Sequence, residues 1–367
     1  MAAIDPTEPA RSIASAWQAA LGALTGADQV RPDPALMPTA RDVVLRDGTA
    51  ELLHFRRADG AAPSVTTPVL LVPSLINRWY VLDLRPGASV AGALVEAGLD
   101  VWCLDWGTPE DEDRYRSWDD VLARLARMVR RVRRETGASR VGLLGYCMGG
   151  TLSAIYTAQH PDEIAALVNL AGPIDFARGG MLARMVDSSW FDAGAVADAG
   201  NVAPTQMQAG FTALRPTIDL AKWASMPDTM SNRTAWESMR ALEIWASDNI
   251  PFPGEAYRTY IGELYQGNRL LAGTHRPGGR PARLGDITCP TMIITADRDN
   301  ICPAAAANAL ADHVGSAVVK LLSVPGGHVG AVVGSRAARE MYPALATWLS
   351  QQLGAAGAHV APTAQPH

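Results

Sequence analysis

Three side chains in this 367-residue sequence, Cys147, Asp299 and His328, could together carry out nucleophilic chemistry. A thiol is the most nucleophilic group a protein offers near neutral pH, but it needs a base to take its proton and a third group to orient that base. Cys147 lies in Gly145-Tyr146-Cys147-Met148-Gly149-Gly150, directly after the apolar run 141–144 and before a helical stretch over 151–159. A single side chain presented between a strand and a helix sits on a sharp turn at strained φ/ψ, and its neighbours must lack Cβ to pack that closely. The helix then aims its N-terminal amides and positive dipole end at Cys147, an environment that favours a thiolate.

The acid and the base follow at later strand ends. The apolar run 291–295 leads into Ala296-Asp297-Arg298-Asp299-Asn300-Ile301-Cys302-Pro303. Asp299 fits the offset expected of an orienting acid better than Asp297, which stands nearer the strand and suits a turn. The run 317–324 leads into Pro325-Gly326-Gly327-His328-Val329-Gly330, where glycines let an imidazole reach across the top of a sheet. His54 falls in a hairpin, His160 at a helix end, His275 in a Gly/Pro-rich loop, His313 in a helix, and His359 and His367 in a C-terminal tail. Only His328 completes the order nucleophile, acid, histidine. That order, with a G-x-nucleophile-x-G elbow, is the α/β-hydrolase plan with cysteine in place of the usual serine. The plan draws one oxyanion-hole amide from the residue after the nucleophile, Met148, and another from the loop after an earlier strand, here Leu75 or Ile76. Asn77, Tyr146 and Asn300 flank these positions and are candidate substrate contacts.

The elements that must position this chemistry are legible in outline. Residues 42–45 and 51–55 flank Asp47-Gly48 as a hairpin, and 67–73 is a continuous apolar run suited to a strand buried on both faces. A helix over 89–97, a strand over 99–104 and an apolar stripe of Val121, Leu122, Leu125, Met128, Val129 and Val132 follow. The other face of that helix carries Arg124, Arg127, Arg130, Arg131 and Arg134, expected to be a solvated face or, alternatively, a dock for an acidic partner or substrate phosphates. Alternating strands and helices predict a mostly parallel sheet with helices on both faces. The core is placed at 41–175 and 286–352. Residues 176–285 lack a strand pattern, are rich in Met and Trp, and are expected to form a helical cap. Its apolar content suits core packing against the sheet, the lining of a greasy channel or a subunit contact. An amphipathic helix with Ile13, Trp17, Leu21 and Leu24 is expected within residues 1–40, and a disordered tail over 353–367.

Composition narrows the class of protein. With 48% hydrophobic and 19% charged residues the chain can bury a large core, and a net charge of −5 argues against nucleic acid as a partner. No apolar run approaches a membrane span, and the N-terminus lacks a signal-peptide pattern. The four cysteines are expected to be free thiols in a reducing compartment, which points to the cytoplasm.

The motifs also carry a family resemblance. Gly145-Tyr146-Cys147-Met148-Gly149-Gly150, Leu75-Ile76-Asn77-Arg78, Leu104-Asp105-Trp106-Gly107, Asp286-Ile287-Thr288-Cys289-Pro290 and Pro325-Gly326-Gly327-His328-Val329-Gly330 resemble the catalytic subunit of polyhydroxyalkanoate synthases over residues 40–352. The chain is most similar to the class III type, whose catalytic subunit works with a second, non-catalytic subunit. The resemblance implies polymerisation of (R)-3-hydroxyacyl-CoA, with Cys147 acylated, His328 as base and Asp299 as acid. It implies a growing polyester chain or granule surface as partner, a homo-oligomer, and no metal or redox cofactor, coenzyme A being the leaving group. These synthases carry histidine after the catalytic aspartate. This chain has Asn300, whose amide is expected to hydrogen-bond the Asp299 carboxylate. Rival expectations are a cysteine thioesterase or polyester hydrolase on the same fold, and a weakly active granule-bound scaffold subunit.

Overall fold

The computed structural model describes residues 33–213 and 232–358. The chain divides into two compact units, Met1–Pro34 and Ala35–His367, and the fold below is that of the second. The expected N-terminal amphipathic helix, with Trp223, Met226 and Met230 of the cap, lies outside the described residues.

The hairpin is β1 (Arg41–Asp47) and β2 (Ala50–Phe55), followed by β3 (Val65–Val72). A two-stranded ribbon, β4 (Asp83–Arg85) and β5 (Ala88–Ser89), precedes β6 (Leu99–Asp105), β7 (Val141–Tyr146), β8 (Ile164–Leu170), β9 (Thr291–Ala296) and β10 (Val319–Val324). The main sheet has the order β1-β2-β6-β3-β7-β8-β9-β10. β1 and β2 pair antiparallel to each other and β2 antiparallel to β6, while every remaining pair is parallel. β7 is thus central, and all strands from β6 onward end on one edge of the sheet.

The apolar runs of β3, β7 and β8 are buried on both faces because strand side chains alternate. Leu70 and Val72 join one core cluster and Val69 and Leu71 the other. The helices covering them are α1 (Val90–Glu96), α2 (Trp118–Thr136), α3 (Met148–Gln159) and the C-terminal helix. The Ser117 hydroxyl caps the start of α2, and Gly137 at φ 69° ends it. Its basic face is not uniformly solvated, which corrects the sequence expectation. Arg124 is buried against Asp47, which also pairs with Arg127 at 2.6 Å, so part of the stripe anchors the β1–β2 turn.

The described residues between Phe176 and Asp286 form mostly short helices. Those used below are α4 (Pro204–Ala213), α5 (Arg233–Ser247) and α6 (Gly254–Thr259), which continues into a π-helical turn over Tyr260–Gln266. The only β contacts there, among the described residues, are the isolated bridges Asn77–Asn249 and Val202–Phe252. Trp245 is buried, whereas Met181 and Trp190 are exposed. The last helix, α7 (Tyr342–Ala358), runs past residue 353, where the composition suggested a disordered tail. Leu345, Leu349 and Leu353 are fully buried and hold it on the sheet, a packing signal that an Ala/Gly-rich composition hides.

Candidate active site

The elbow is built by close backbone approach. Cys147 occupies the N-cap of α3 at φ 56°, ψ −126°, a conformation that costs a non-glycine residue about 1–3 kcal/mol. The neighbouring strand β8 and the helix itself hold it there: the Cys147 N–H donates to Leu170 O at 2.9 Å and its carbonyl accepts from the Gly150 N–H of α3 at 2.8 Å. A Cβ on Gly149 would overlap the Val72 carbonyl, and one on Gly145 the Gly149 carbonyl. Both positions therefore exclude any side chain. Beneath the turn, the buried Asn169 amide donates to Gly172 O and accepts from Gly172 N at 2.9 and 3.0 Å. The result is a half-buried thiol on a fixed support at the middle of the sheet.

Asp299 and His328 meet beside it. His328 Nδ1 donates to Asp299 Oδ2 at 2.7 Å, while Asp299 Oδ1 accepts the Ile301 and Cys302 amides, each at 2.8 Å. Both side chains are almost fully buried. Asp297, the other candidate acid, is exposed and accepts the Gly326 amide at 2.7 Å, so it ties the β9 loop to the loop carrying His328. By accepting the Nδ1 hydrogen bond, Asp299 Oδ2 fixes the His328 ring and leaves Nε2 as the nitrogen that can exchange a proton with the nucleophile. Nε2 is buried and makes no hydrogen bond to the described residues. Burial alone would lower the pKa of His328, but the negative charges of Cys147 and Asp299 outweigh it and raise the imidazole to about 10. Tyr146 stacks on the ring, with centroids 5.2 Å apart, and burial pushes its phenol well up. Tyr146 is thus a packing support for His328 rather than an exposed contact.

The oxyanion candidates Met148, Leu75 and Ile76 are all buried. Met148 is the first residue of α3, so its N–H has no intrahelical acceptor. Leu75 and Ile76 are buried in the loop after β3, beside Ser74, whose hydroxyl is buried without a partner among the described residues. Asn77 Nδ2 donates to Asn249 Oδ1 at 2.5 Å and is engaged with the cap segment. Asn300 departs from expectation. Its side chain is exposed and makes no hydrogen bond to Asp299, whose oxygens are already taken by two amides and an imidazole.

Sequence reasoning missed the aromatic roof. Phe176, Phe252, Tyr257, Tyr260 and Tyr265 form a connected set of ring contacts, and Tyr260 stacks on Trp118 at 5.6 Å. Burial pushes the Tyr260 and Tyr265 phenols up. The recurrence of tyrosine at 257, 260 and 265 was the available signal. The arrangement can deprotonate a thiol, hold an acyl group on sulfur and keep water from it. Among the described residues no cluster of His, Cys, Asp and Glu could hold a metal ion, and no helix is long and apolar enough to cross a membrane.

Comparison with known proteins agrees with this fold. A family profile described as the alpha/beta hydrolase fold matches residues 67–334, and one described as the poly-beta-hydroxybutyrate polymerase (PhaC) N-terminus matches residues 27–93. The chain is 32% identical over 315 residues to the poly(3-hydroxyalkanoate) polymerase subunit PhaC of Allochromatium vinosum, covering 85% of this chain and 88% of that one. Against the subunit of the same name from Synechocystis the identity is 32% over 323 residues, covering 86% and 85%. The relative from Haloferax mediterranei is longer: at 32% identity the match covers 86% of this chain but 64% of that one. Among solved structures, a membrane phospholipase A described as a bacterial virulence factor superposes with a TM-score of 0.51 at 17% identity, covering 95% of this chain and 93% of that one. A likeness at that identity concerns the fold alone. With a fold profile across most of its length and relatives matched over most of both chains, this protein belongs to the poly(3-hydroxyalkanoate) polymerase subunit PhaC family, built on the α/β hydrolase fold.

Proposed function

We propose that the chain polymerises (R)-3-hydroxyacyl-CoA into a polyester, releasing CoA, through an acyl thioester on Cys147. The observation that carries this reading is the His328 imidazole, held by Asp299 at Nδ1 and left with a buried, unpartnered Nε2 in the field of Cys147. In loading, the thiol proton passes to His328 Nε2 and the sulfur attacks the thioester carbonyl. The amides of Met148 and of Leu75 or Ile76 stabilise the oxyanion, and the tetrahedral adduct collapses by expelling CoA, which recovers the proton. In elongation, the hydroxyl of another hydroxyacyl unit loses its proton to His328 and attacks the Cys147 thioester. An oxygen ester forms and the sulfur is released. Exchange of one thioester for another is nearly thermoneutral and ester formation is downhill, which favours cysteine over serine as nucleophile. No metal or redox cofactor enters the scheme.

The aromatic roof supports transfer to a hydroxyl over hydrolysis, because it excludes water from the acyl-enzyme. Exposed Trp190 and Met181 support a contact between the cap and a second, non-catalytic subunit that raises activity, with the working form a homo-oligomer at a granule surface in the cytoplasm. Incubation with 3-hydroxybutyryl-CoA, with and without a candidate second subunit, tests the reading. Polymer together with CoA supports it, and stoichiometric free hydroxy acid would establish a thioesterase.

A further inference from the structure

The loop that carries Leu75 and Ile76 is pinned from above by one short stretch of the cap. Ile250 N–H donates to Ile76 O at 3.3 Å, and Asn77 and Asn249 bridge through their backbones and side chains. Trp245 Nε1 donates to Arg78 O at 3.0 Å. Tyr80 donates its hydroxyl to Asp248 Oδ2 at 2.9 Å, and Arg78 Nε lies 3.4 Å from the same oxygen. Every bond runs between residues 76–80 and residues 245–250, segments separated by most of the sheet in sequence. Arg78 extends the tie sideways, since its Nη1 donates to Thr108 Oγ1 at 3.1 Å in the loop after β6. Asn249 extends it upward, since its Nδ2 donates to Gln208 Oε1 on α4 at 3.0 Å.

Asp248 is badly placed for its own helix. It is the C-cap of α5, where the macrodipole is negative and a carboxylate is unfavourable. Its two partners, the Tyr80 hydroxyl and the Arg78 guanidinium, both belong to the oxyanion loop, so the carboxylate serves that loop and not the helix. An oxyanion hole works only if its donors are held at the position the developing charge will occupy, and a shift of about 1 Å in a supporting segment can cost 100-fold in rate. A loop of four residues, Leu75 to Arg78, with no helix or strand hydrogen bonds of its own cannot supply that rigidity.

Resting on the acyl-transfer reading above, we propose that Asp248 and Asn249 are positioning residues, which set the Leu75 and Ile76 amides over Cys147 by gripping Tyr80, Arg78 and Asn77. The cap then completes the catalytic geometry as well as covering it. Cap displacement must carry the loop along or break these bonds.

Two reactions of the same thiol test this. Acylation of Cys147 by 3-hydroxybutyryl-CoA needs an oxyanion hole, whereas alkylation by iodoacetamide passes through no tetrahedral oxyanion. In the full-length protein, Asp248→Ala is expected to slow acylation about 10- to 100-fold while leaving alkylation within about twofold of the parent. Asp248→Asn, which keeps an acceptor for Tyr80 and loses the charge facing Arg78, should fall between. Tyr80→Phe removes one oxygen without disturbing the cap and should slow acylation in the same selective way. Adding it to Asp248→Ala should cost little more, because both remove the same contact. Equal loss in both reactions, or unchanged acylation in Tyr80→Phe, overturns the positioning role. If the parent protein itself is alkylated but never acylated, the acyl-transfer reading fails with it, which is a separate result.

Discussion

His328 Nδ1 and Asp299 Oδ2 are 2.7 Å apart, and the other oxygen of Asp299 is fixed by the backbone amides of Ile301 and Cys302. The carboxylate therefore has one free role, to hold the imidazole with Nε2 directed away from it. Replacing Asp299 with asparagine keeps an acceptor for the two amides but can present an amide N–H to Nδ1, which favours the wrong tautomer. Thiolate attack on a thioester is intrinsically easy, whereas deprotonating an alcohol needs a competent base. Asp299→Asn should thus accumulate acylated Cys147, seen as a mass increase of the intact protein, while polymer formation falls roughly 10²- to 10⁴-fold. A variant that stays unacylated, or elongates normally, would assign Asp299 the wrong role.

The elbow makes a mechanical prediction. A methyl at position 149 would overlap the Val72 carbonyl, a strand backbone atom that cannot move without disturbing β3. Gly149→Ala should destabilise the fold by about 3 kcal/mol or more, read as a lowered denaturant midpoint. Gly262→Ala, in the π-helical turn where a Cβ meets nothing within 4 Å, is the control and should leave the midpoint near that of the parent.

Stability should depend on pH through buried histidine. His275 is almost fully buried, its Nδ1 lies 2.9 Å from Glu263, and its Nε2 has no partner among the described residues. Burial lowers its pKa below 6.5 and outweighs the attraction of Glu263, and burial lowers His160 as well. A histidine kept neutral by the fold binds its proton more readily when unfolded. Its contribution is therefore complete above pH 6.5 and is lost as pH falls through and below that value. His328, raised to about 10, acts in the opposite sense over this range, so the effect of His275 is read as a difference: from pH 7.5 to 5.5 the urea midpoint of His275→Gln should fall less, or rise more, than that of the parent. An equal change in variant and parent would place the dependence elsewhere.

What the sequence made legible was whatever depends on local backbone demands. The glycines around Cys147 signal the turn because no side chain fits there, and Asp299 could be separated from Asp297 by its offset from β9 alone. The parallel pairing of the sheet follows from alternating strands and helices. What stayed hidden depends on contacts between distant segments. The grip of Asp248 on Tyr80 spans 168 positions and has no periodicity to announce it. Arg124 looked like one more member of a basic stripe, yet it pairs with Asp47 from 77 positions away. Asn300 stands next to the acid in sequence and turns to solvent in space, because the backbone after Asp299 supplies the hydrogen bonds that the asparagine amide was expected to give.

The most direct test is the intact mass of the protein after brief exposure to 3-hydroxybutyryl-CoA, followed by peptide mapping. The parent should gain one or more hydroxybutyryl units attached at Cys147 with matching release of CoA, and Cys147→Ala should gain none and release none. Acylation mapping to Cys302, Cys289 or Cys103, or CoA release that survives in Cys147→Ala, would contradict the assignment of Cys147 as the nucleophile.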